Sequence, residues 1–273
     1  MEHEDFQAIK ARIKKHPYTS LEPVVFEAVA HYEVLRNDDT AILLQGHNRE
    51  ADMRELHFAV GDMGLVLGAV KAQPGSTLVT FIPPEQKQRF LDHGFEVYGE
   101  MNDYWIEPLT GHGADLVDAC FMDAGEHFAV SKVTTAVRGQ SREFHGESPQ
   151  WVEAWMNGAN PEAVDCGATD CNIIVHRENA HPVGILCVAV YGHGSPKGKV
   201  VWIRLVAVRP EFQGRGIGRK LVNQALSYGI SKGAKRAFLM ADSLNANAIG
   251  LYRSIGFAAK ADGAQLDMIY KGC

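Results

Sequence analysis

The chain has 273 residues, of which 46% are hydrophobic and 22% are charged, as in an ordinary soluble globular protein. Its formal net charge of −6 argues against general binding to nucleic acid or to anionic membranes, and no apolar run is long enough to span a bilayer. The first residues lack the apolar core of a secretion signal, so we expect a cytoplasmic protein.

The five cysteines lie at irregular spacings, which is typical of reduced thiols in the cytosol. Cys166 and Cys171 have His176 nearby, but this spacing does not match a zinc site and the sequence offers no second pair. We therefore expect no metal.

The first third of the chain predicts a helix around residues 48–60 and then, over residues 76–86, a strand that runs into a helix start. Gly94-Phe95 and the residues around it echo Gly256-Phe257 near the other end, at an offset of 162 residues. Such a long offset is typical of a duplicated domain, here with a first copy that holds only the later part of the unit. We predict an N-terminal domain at 1–108 and a second domain at 109–273.

The middle of the chain predicts a helix over residues 114–128, a loop over 130–147 and a short helix over 148–160. Ser148 is the expected N-cap of the short helix, with Pro149 at its first position. Trp151 and Trp155 share one helix face. That face either packs on a sheet or offers an aromatic surface to a bound molecule.

The remaining residues alternate strands and helices. Two strands, 171–178 and 182–192, are predicted to join in a hairpin at Asn179 and Ala180. A third strand, 198–208, is apolar on both faces and so is expected to be central. A helix over 216–232, a strand over 235–241, a helix over 245–256 and a hairpin of 256–260 with 265–271 complete the pattern. The fold class predicted is α/β, with a mixed sheet and a smaller N-terminal α/β domain.

The turn between the central strand and its helix is rich in glycine, with Gly214, Gly216 and Gly218 in five positions. Glycines let the backbone approach an anion closely, and a helix N-terminus adds unpaired N–H groups and a positive dipole end. Arg215 and Arg219 add positive charge. A strand, this turn and a helix together predict a cradle for a phosphate group.

Two motifs here resemble those of the GNAT family of acetyl-CoA-dependent N-acetyltransferases. The first is Gln/Arg-x-x-Gly-x-Gly/Ala, matched by Gln213, Gly216 and Gly218. The second is Asn-x-x-Ala-x-x-x-Tyr followed by Gly-Phe, matched by Asn245, Ala248, Tyr252 and Gly256-Phe257. The resemblance covers roughly residues 110–273.

The resemblance implies the GNAT acyl-CoA N-acyltransferase fold, acetyl-CoA as co-substrate and an amine acceptor, either a small molecule or a peptide or protein. The oligomeric state implied is a monomer or homodimer. It also implies that the turn binds the pyrophosphate of the cofactor and that the strand edge before the turn binds the pantetheine arm. The implied cofactor-binding residues are Val206, Ala207, Val208, Gln213, Gly214, Arg215, Gly216, Ile217, Gly218, Arg219, Asn245, Ala248, Leu251 and Tyr252.

Tyr252 is, by the same resemblance, the acid that protonates the leaving thiolate, and Asp242 is the base that we name. Many family members carry a Glu on the strand before the turn, where this chain has Trp202 and Arg204. The other residues that we leave open as bases are Glu143, His145, Glu147 and His193, and a water chain is a further option. A non-catalytic acyl-CoA-binding module is the alternative function.

The first copy lacks these groups. At the offset of 162 residues, Phe90 falls where Tyr252 stands and Pro83 where Asn245 stands, and no glycine triplet comes before its helix. We therefore expect a degenerate domain without a phosphate site.

Overall fold

A computed structural model describes residues 1–49, 51–110, 119–142 and 144–272. The chain divides into two compact units, which we call unit 1 (Met1–Met101 with Ala264–Cys273) and unit 2 (Asn102–Gly263). The predicted division into domains at 1–108 and 109–273 stays a prediction.

Unit 1 is built on a sheet with the strand order β2-β3-β4-β5 and then the last residues of β11. Neighbouring strands are antiparallel except β4 and β5, which are parallel, and β1 pairs with β4 as well. The helices of this unit are α1 His3–Arg12, α2 Phe26–Val29, α3 Gly64–Lys71 and α4 Lys87–Asp92. Its strands are β1 Tyr18–Thr19, β2 Glu33–Asn37, β3 Ala41–Asn48, β4 Met53–Val60 and β5 Thr77–Val79, with parts of β6 Phe95–Ile106 and β11 Ala258–Tyr270.

Unit 2 has the strand order β7-β8-β9-β10, with β6 next to β10. The pairs β7–β8 and β8–β9 are antiparallel, whereas β9 and β10 are parallel. The helices are α5 His127–Thr135, α6 Pro149–Met156, α7 Pro161–Asp165, α8 Ile217–Ser231 and α9 Ala246–Ile255. The strands are β7 Thr169–Glu178, β8 His181–Tyr191, β9 Lys199–Val208 and β10 Ala234–Asp242, with parts of β6 and β11.

Two apolar cores cover the two faces of the sheet in unit 2. Helices α8 and α9 pack on one face, where Leu221 and Leu226 are fully buried against Val201. Helices α5, α6 and α7 pack on the other face, where Trp155 is fully buried near Trp202. The mixed α/β class is therefore confirmed, and β9 is central as predicted.

The two units repeat one order of elements. In unit 1 the parallel strands β4 and β5 are joined by α3, and then come α4, Gly94 and β6. In unit 2 the parallel strands β9 and β10 are joined by α8, and then come α9, Gly256 and β11. Both glycines have a positive φ, +85° and +117°. The repeated order supports the echo seen in the sequence.

Several local predictions hold. Ser148 caps α6 by accepting a hydrogen bond from the Trp151 N–H, and Pro149 begins the helix. Asn179 and Ala180 form the β7–β8 turn with positive φ angles of 50° and 65°, as a two-residue hairpin requires.

The helix predicted over 114–128 lies elsewhere. Residues 114–118 lie outside the described part, and residues 119–126 are not helical. The helix, α5, comes later and takes up the first six residues of the predicted loop, whereas the described residues from 136 to 147 form a loop as predicted. Its core residues, Val130, Val133 and Thr134, are β-branched and have a low helix propensity, so packing decides its structure.

Two further elements differ from their predictions. Residues 53–60 form the strand β4 rather than a helix, because pairing with β3 on one side and with β5 and β1 on the other buries them. The expected C-terminal hairpin is one continuous strand, β11, whose last residues pair with β5 far along the chain.

Candidate active site

The two parallel strands of unit 2 separate towards their carboxyl ends. Their pairing ends at Leu239 opposite Ile203, although β10 continues to Asp242 and β9 to Val208. Residues 204–208 of β9 keep β8 as partner on one side and face no described strand on the other. An edge that pairs with no described strand thus lies directly before the glycine turn, and its Val208 C=O accepts from the Gln213 side chain.

A bulge sets which groups face that edge. Cys187 pairs with Leu205 and Val188 with Ile203, so Arg204 is the extra residue in β9. Beyond the bulge, the Arg209 N–H donates to Val183 O at 2.9 Å, on the β8 side. Because alternate residues of a strand direct their N–H and C=O groups to the same side, those of Val206 and Val208 face the open edge. The Ala207 groups face β8.

The turn after β9 has the backbone expected of an anion cradle. Gly214 and Gly216 have φ of +75° and +79°, and a Cβ on either would meet no atom within 4 Å. The first helical hydrogen bond of α8 runs from Lys220 N–H to Gly216 O at 3.0 Å. The amides of the first turn, starting with Ile217, therefore have no acceptor within the helix.

Side chains around the turn hold it in place. The Gln213 amide donates to Val208 O at 2.8 Å and to Gln140 Oε1 at 2.9 Å. The Arg215 guanidinium lies 4.9 Å from the Phe212 ring centre and donates to Glu211 O. Arg219 donates to Ser254 Oγ at 2.7 Å and so ties α8 to α9.

The beginning of α9 lies beside this turn. Asn245 caps α9 by accepting from the Ala248 N–H at 3.1 Å. A Cβ on Gly218 would lie 3.2 Å from Leu251 Cδ2, so glycine allows α8 and α9 to approach closely. Ala248 and Leu251 are half-buried there.

Tyr252 lies on the buried face of α9, with only 8% of its surface exposed and its ring 6.0 Å from that of Phe257. Burial raises the pKa of the Tyr252 hydroxyl to about 12. The hydroxyl therefore stays protonated at neutral pH, as a hydrogen-bond donor must.

Asp242 lies at the end of β10 and is only 2% exposed. Its carboxylate accepts from the Arg142 backbone N–H at 2.7 Å, from the Arg142 guanidinium at 2.6 Å and from the Leu244 N–H at 3.0 Å. Although burial raises the pKa of Asp242, these hydrogen bonds outweigh it and hold the pKa below its usual range. A carboxylate held in this way is suited to anchoring and poorly suited to accepting a proton.

A loop joining α5 to α6 contacts two motif residues and Asp242. Gln140 contacts Gln213, Ser141 Oγ accepts from the Asn245 amide at 3.3 Å, and Arg142 pairs with Asp242. The sequence patterns missed these partners, because a loop with no periodicity gives no sign of what it will contact.

On the other face of β9, Arg204 lies among carboxylates and an aromatic ring. It forms a two-pronged ion pair with Glu162, and its Nη2 lies 3.8 Å from Glu147 Oε1. Its guanidinium lies 5.6 Å from the Trp151 ring centre. The Glu147 side chain is only 15% exposed, so it is not a solvated loop residue.

The other residues considered as bases lie away from this cluster, are exposed or fall outside the described residues. His193 lies in the β8–β9 turn and contacts Thr169, at the opposite end of β9 from the glycine turn. Ten residues of strand, about 30 Å, separate the two. His145 is exposed, and Glu143 lies outside the described residues.

Among the described residues, no group of His, Cys, Asp and Glu side chains is arranged to hold a metal ion. A search of the same residues finds no helix with the length and apolar character needed to cross a membrane.

Comparisons with known proteins agree with this geometry. The model of the acetyltransferase (GNAT) family matches residues 131–257. An uncharacterised N-acetyltransferase of Methanocaldococcus jannaschii is 35% identical over 175 residues, which is 63% of this chain and 68% of the relative. A mycothiol acetyltransferase of Acidothermus cellulolyticus is 39% identical over 126 residues, 41% of this chain and 37% of that protein.

The fold is also found among solved structures. A GCN5-related N-acetyltransferase from Sphaerobacter thermophilus aligns with a TM-score of 0.58 and 17% identity, over 86% of this chain and 78% of that one. The matched family model, the sequence relatives and the strand–turn–helix geometry agree: the chain belongs to the GNAT family and is an N-acetyltransferase.

Proposed function

We propose that the chain transfers the acetyl group of acetyl-CoA to a primary amine by direct attack, with both substrates bound together. The observation that carries this proposal is the open edge of β9 immediately before the glycine turn. An edge of free N–H and C=O groups binds an extended amide chain as an added strand. The pantetheine arm is such a chain.

The glycine turn and the start of α8 bind the pyrophosphate in this proposal. The open space at Gly214 and Gly216 fits an anion lying against the backbone. Lys220, exposed in the first turn of α8, adds positive charge. Arg219 and Gln213 act mainly by holding the turn, since their side chains already bond to protein.

Acetyl-CoA, when bound, supplies an acetyl group activated as a thioester. The Val206 N–H, at the open edge, donates to the carbonyl oxygen as negative charge develops there. The substrate nitrogen forms its bond to the carbonyl carbon, the carbon–sulfur bond breaks, and the sulfur takes up the departing electron pair.

Tyr252 donates to that sulfur. Its pKa of about 12 is well above the value of about 8.5 typical of a thiol, so full transfer of its proton is uphill by about 5 kcal/mol. Tyr252 therefore stabilises the developing thiolate as a hydrogen-bond donor, and the final proton comes from water. A donor in an apolar site is effective in this role because little solvent competes with it.

We propose Glu147 as the proton acceptor in place of Asp242. Its carboxylate lies on the face of β9 that carries Arg204, beside the bulge, and it has little exposure. The Arg204 guanidinium lies 3.8 Å from Glu147 Oε1 and holds positive charge beside that carboxylate. Both carboxylates, together with the overall charge of −6, favour a cationic amine as acceptor.

The test is an assay of the full-length chain with acetyl-CoA and a panel of primary amines, in which release of free thiol and formation of acetylated product are both measured. The panel comprises small polyamines, amino acids, a lysine peptide and a peptide with a free N-terminus. We expect thiol release that depends on an amine. Tight acetyl-CoA binding without product from any amine would instead favour a binding module.

A further inference from the structure

The parallel strands of unit 1 separate in the same way as those of unit 2. Pairing between β4 and β5 ends at Leu56 opposite Val79, while β4 continues to Val60. On its other side, β4 pairs with β3 along its whole length, from Asn48 opposite Met53 to Ala41 opposite Val60. The edge of β4 beyond Leu56 is therefore the counterpart of the open β9 edge.

In unit 1 this edge is filled by the chain itself. The short strand β1 pairs with it, with Tyr18 opposite Val60 and Thr19 opposite Ala59. Ser20 continues the pairing: its N–H donates to Phe58 O at 2.9 Å and its Oγ accepts from Phe58 N–H at 2.8 Å. Because β3 occupies the opposite side, β1 lies on the β5 side of β4.

The gap between the strands is closed by buried polar groups as well. Ser20 Oγ and Thr80 Oγ1 each lie 3.4 Å from His57 Nδ1, and all three residues are less than 9% exposed. On the other side of its ring, His57 Nε2 lies 3.3 Å from Glu55 Oε2. The slot is filled by groups that satisfy one another rather than left for a ligand.

The start of the helix after β4 is filled in a matching way. Asp62 Oδ1 accepts from the Gly64 N–H at 2.9 Å, at the N-terminus of α3. The same oxygen lies 3.0 Å from Arg89 Nη1. A carboxylate thus occupies the place where the α8 N-terminus of unit 2 is free for an anion.

The geometry points to a second, vestigial acyl-CoA slot in unit 1 that the chain fills with its own residues. Residues 18–20 take the place of the pantetheine arm along the strand edge, and the Asp62 carboxylate takes the place of a phosphate at the helix N-terminus. This inference rests on the cofactor mode proposed for unit 2. Its consequence is that each chain binds one acetyl-CoA.

Amide exchange at matched positions tests the assignment. Phe58 and Val60 face the filled edge of unit 1 as Val206 and Val208 face the open edge of unit 2. In the free full-length protein, we expect exchange at Phe58 and Val60 to be slower than at Val206 and Val208 by about tenfold or more. Saturating acetyl-CoA should slow Val206 and Val208 and leave Phe58 and Val60 unchanged, and calorimetry should give one site per chain.

A variant sharpens the result. Ser20→Ala removes the acceptor of the Phe58 N–H and should speed exchange at Phe58 by about tenfold without changing acetyl-CoA affinity. If that variant does not fold, the exchange rates at the matched positions of the unaltered protein still test the inference. Fast exchange at Phe58 and Val60 in the free protein, protection of them by acetyl-CoA, or two sites per chain would each overturn the inference. Absence of protection at Val206 and Val208 would instead overturn the cofactor mode of unit 2, and with it the comparison on which this inference rests.

Discussion

Gly216 offers the sharpest test of the phosphate cradle, because its conformation and its surroundings separate charge from strain. It is the N-cap of α8 with φ of +79°, and a Cβ there would have no atom within 4 Å. Asn and Asp have the same shape and both tolerate the left-handed conformation better than other residues. Gly216→Asn therefore measures the backbone effect, and Gly216→Asp adds one negative charge to it.

The charge effect follows from Coulomb's law. A carboxylate at Gly216 would lie about 5 Å from an anion bound on the α8 amides. At that distance one pair of charges repels by about 1 to 3 kcal/mol, for effective dielectric constants between that of water and that of a protein surface. Acetyl-CoA should therefore bind Gly216→Asp about 5- to 150-fold more weakly than Gly216→Asn.

The assay is titration calorimetry with acetyl-CoA at low and high salt. The loss should shrink as salt is added, because screening weakens repulsion at an exposed site. Gly233, at the other end of α8, provides the control: it has φ of +85° and equally open space. Gly233→Asp should leave the affinity unchanged. Equal affinities of Gly216→Asp and Gly216→Asn would refute the phosphate role of the turn.

Three further predictions concern catalysis and stability. Tyr252→Phe should lower kcat by about 100-fold with little change in acetyl-CoA affinity. Tyr228→Phe, which loses a hydroxyl bonded to Asp170 O and Asn172, should keep kcat. Similar rates for both variants would show that Tyr252 only packs. Glu147→Gln should abolish most of the activity at neutral pH. Asp242→Asn should keep more of the activity and lower Tm by about 6 to 12 °C, because it breaks a buried ion pair. A larger loss of activity in Asp242→Asn than in Glu147→Gln would restore Asp242 as the base. Because the pKa of Tyr252 is raised to about 12, burial of the neutral hydroxyl stabilises the fold fully below pH 10, and this stabilisation is lost as the pH rises towards 12. Urea unfolding of Tyr252→Phe should therefore show a smaller loss of unfolding free energy over that pH range than the unaltered protein. An equal loss in both would contradict the burial argument.

The sequence was most informative where a residue type is required by local backbone geometry. Gly214, Gly216, the Ser148 cap and the Asn179–Ala180 turn are positions where only a few residues fit the dihedral angles or supply the bond. The cap and the hairpin turn could be recognised without knowing any distant contact, and both are confirmed. Both glycines have the positive φ that such a turn needs, while the phosphate role of the turn stays a prediction.

Elements decided by long-range pairing were missed. The hairpin expected of residues 256–260 with 265–271 does not form, and β11 runs as one strand from Ala258 to Tyr270. The last residues of β11 pair with β5, about 190 residues earlier in the chain, and Leu266 and Met268 are buried in the core of unit 1. Local turn propensity of a few kcal/mol is outweighed when an alternative buries several apolar side chains.

The candidate site shows the same limit. The motif residues were found, but the partners that fix their roles were not, since Arg142, Gln140 and Glu147 lie in a loop without periodicity. Asp242 was named as a base because it ends the strand nearest the motif. Its carboxylate is bonded to Arg142, a hundred residues earlier in the chain, which is a contact that no local pattern indicates.

The division into units leads to a last prediction, on which residues unit 2 needs in order to fold. Tyr104 and Ile106 belong to its apolar core and are 2% and 7% exposed. A fragment of residues 109–273 lacks both, and it also carries Leu266 and Met268, whose core lies in unit 1. Removing two buried side chains of this size from a core costs several kcal/mol, comparable to the whole stability of a domain.

Fragment 102–263 keeps the two core residues and omits the two that belong elsewhere. We therefore expect it to be more soluble and to unfold at a higher temperature than fragment 109–273, although the second contains every motif residue. Circular dichroism melts and size-exclusion chromatography of both fragments would measure the difference. If fragment 109–273 proved equally stable, then Tyr104 and Ile106 would be dispensable and the compact unit would not be the folding unit.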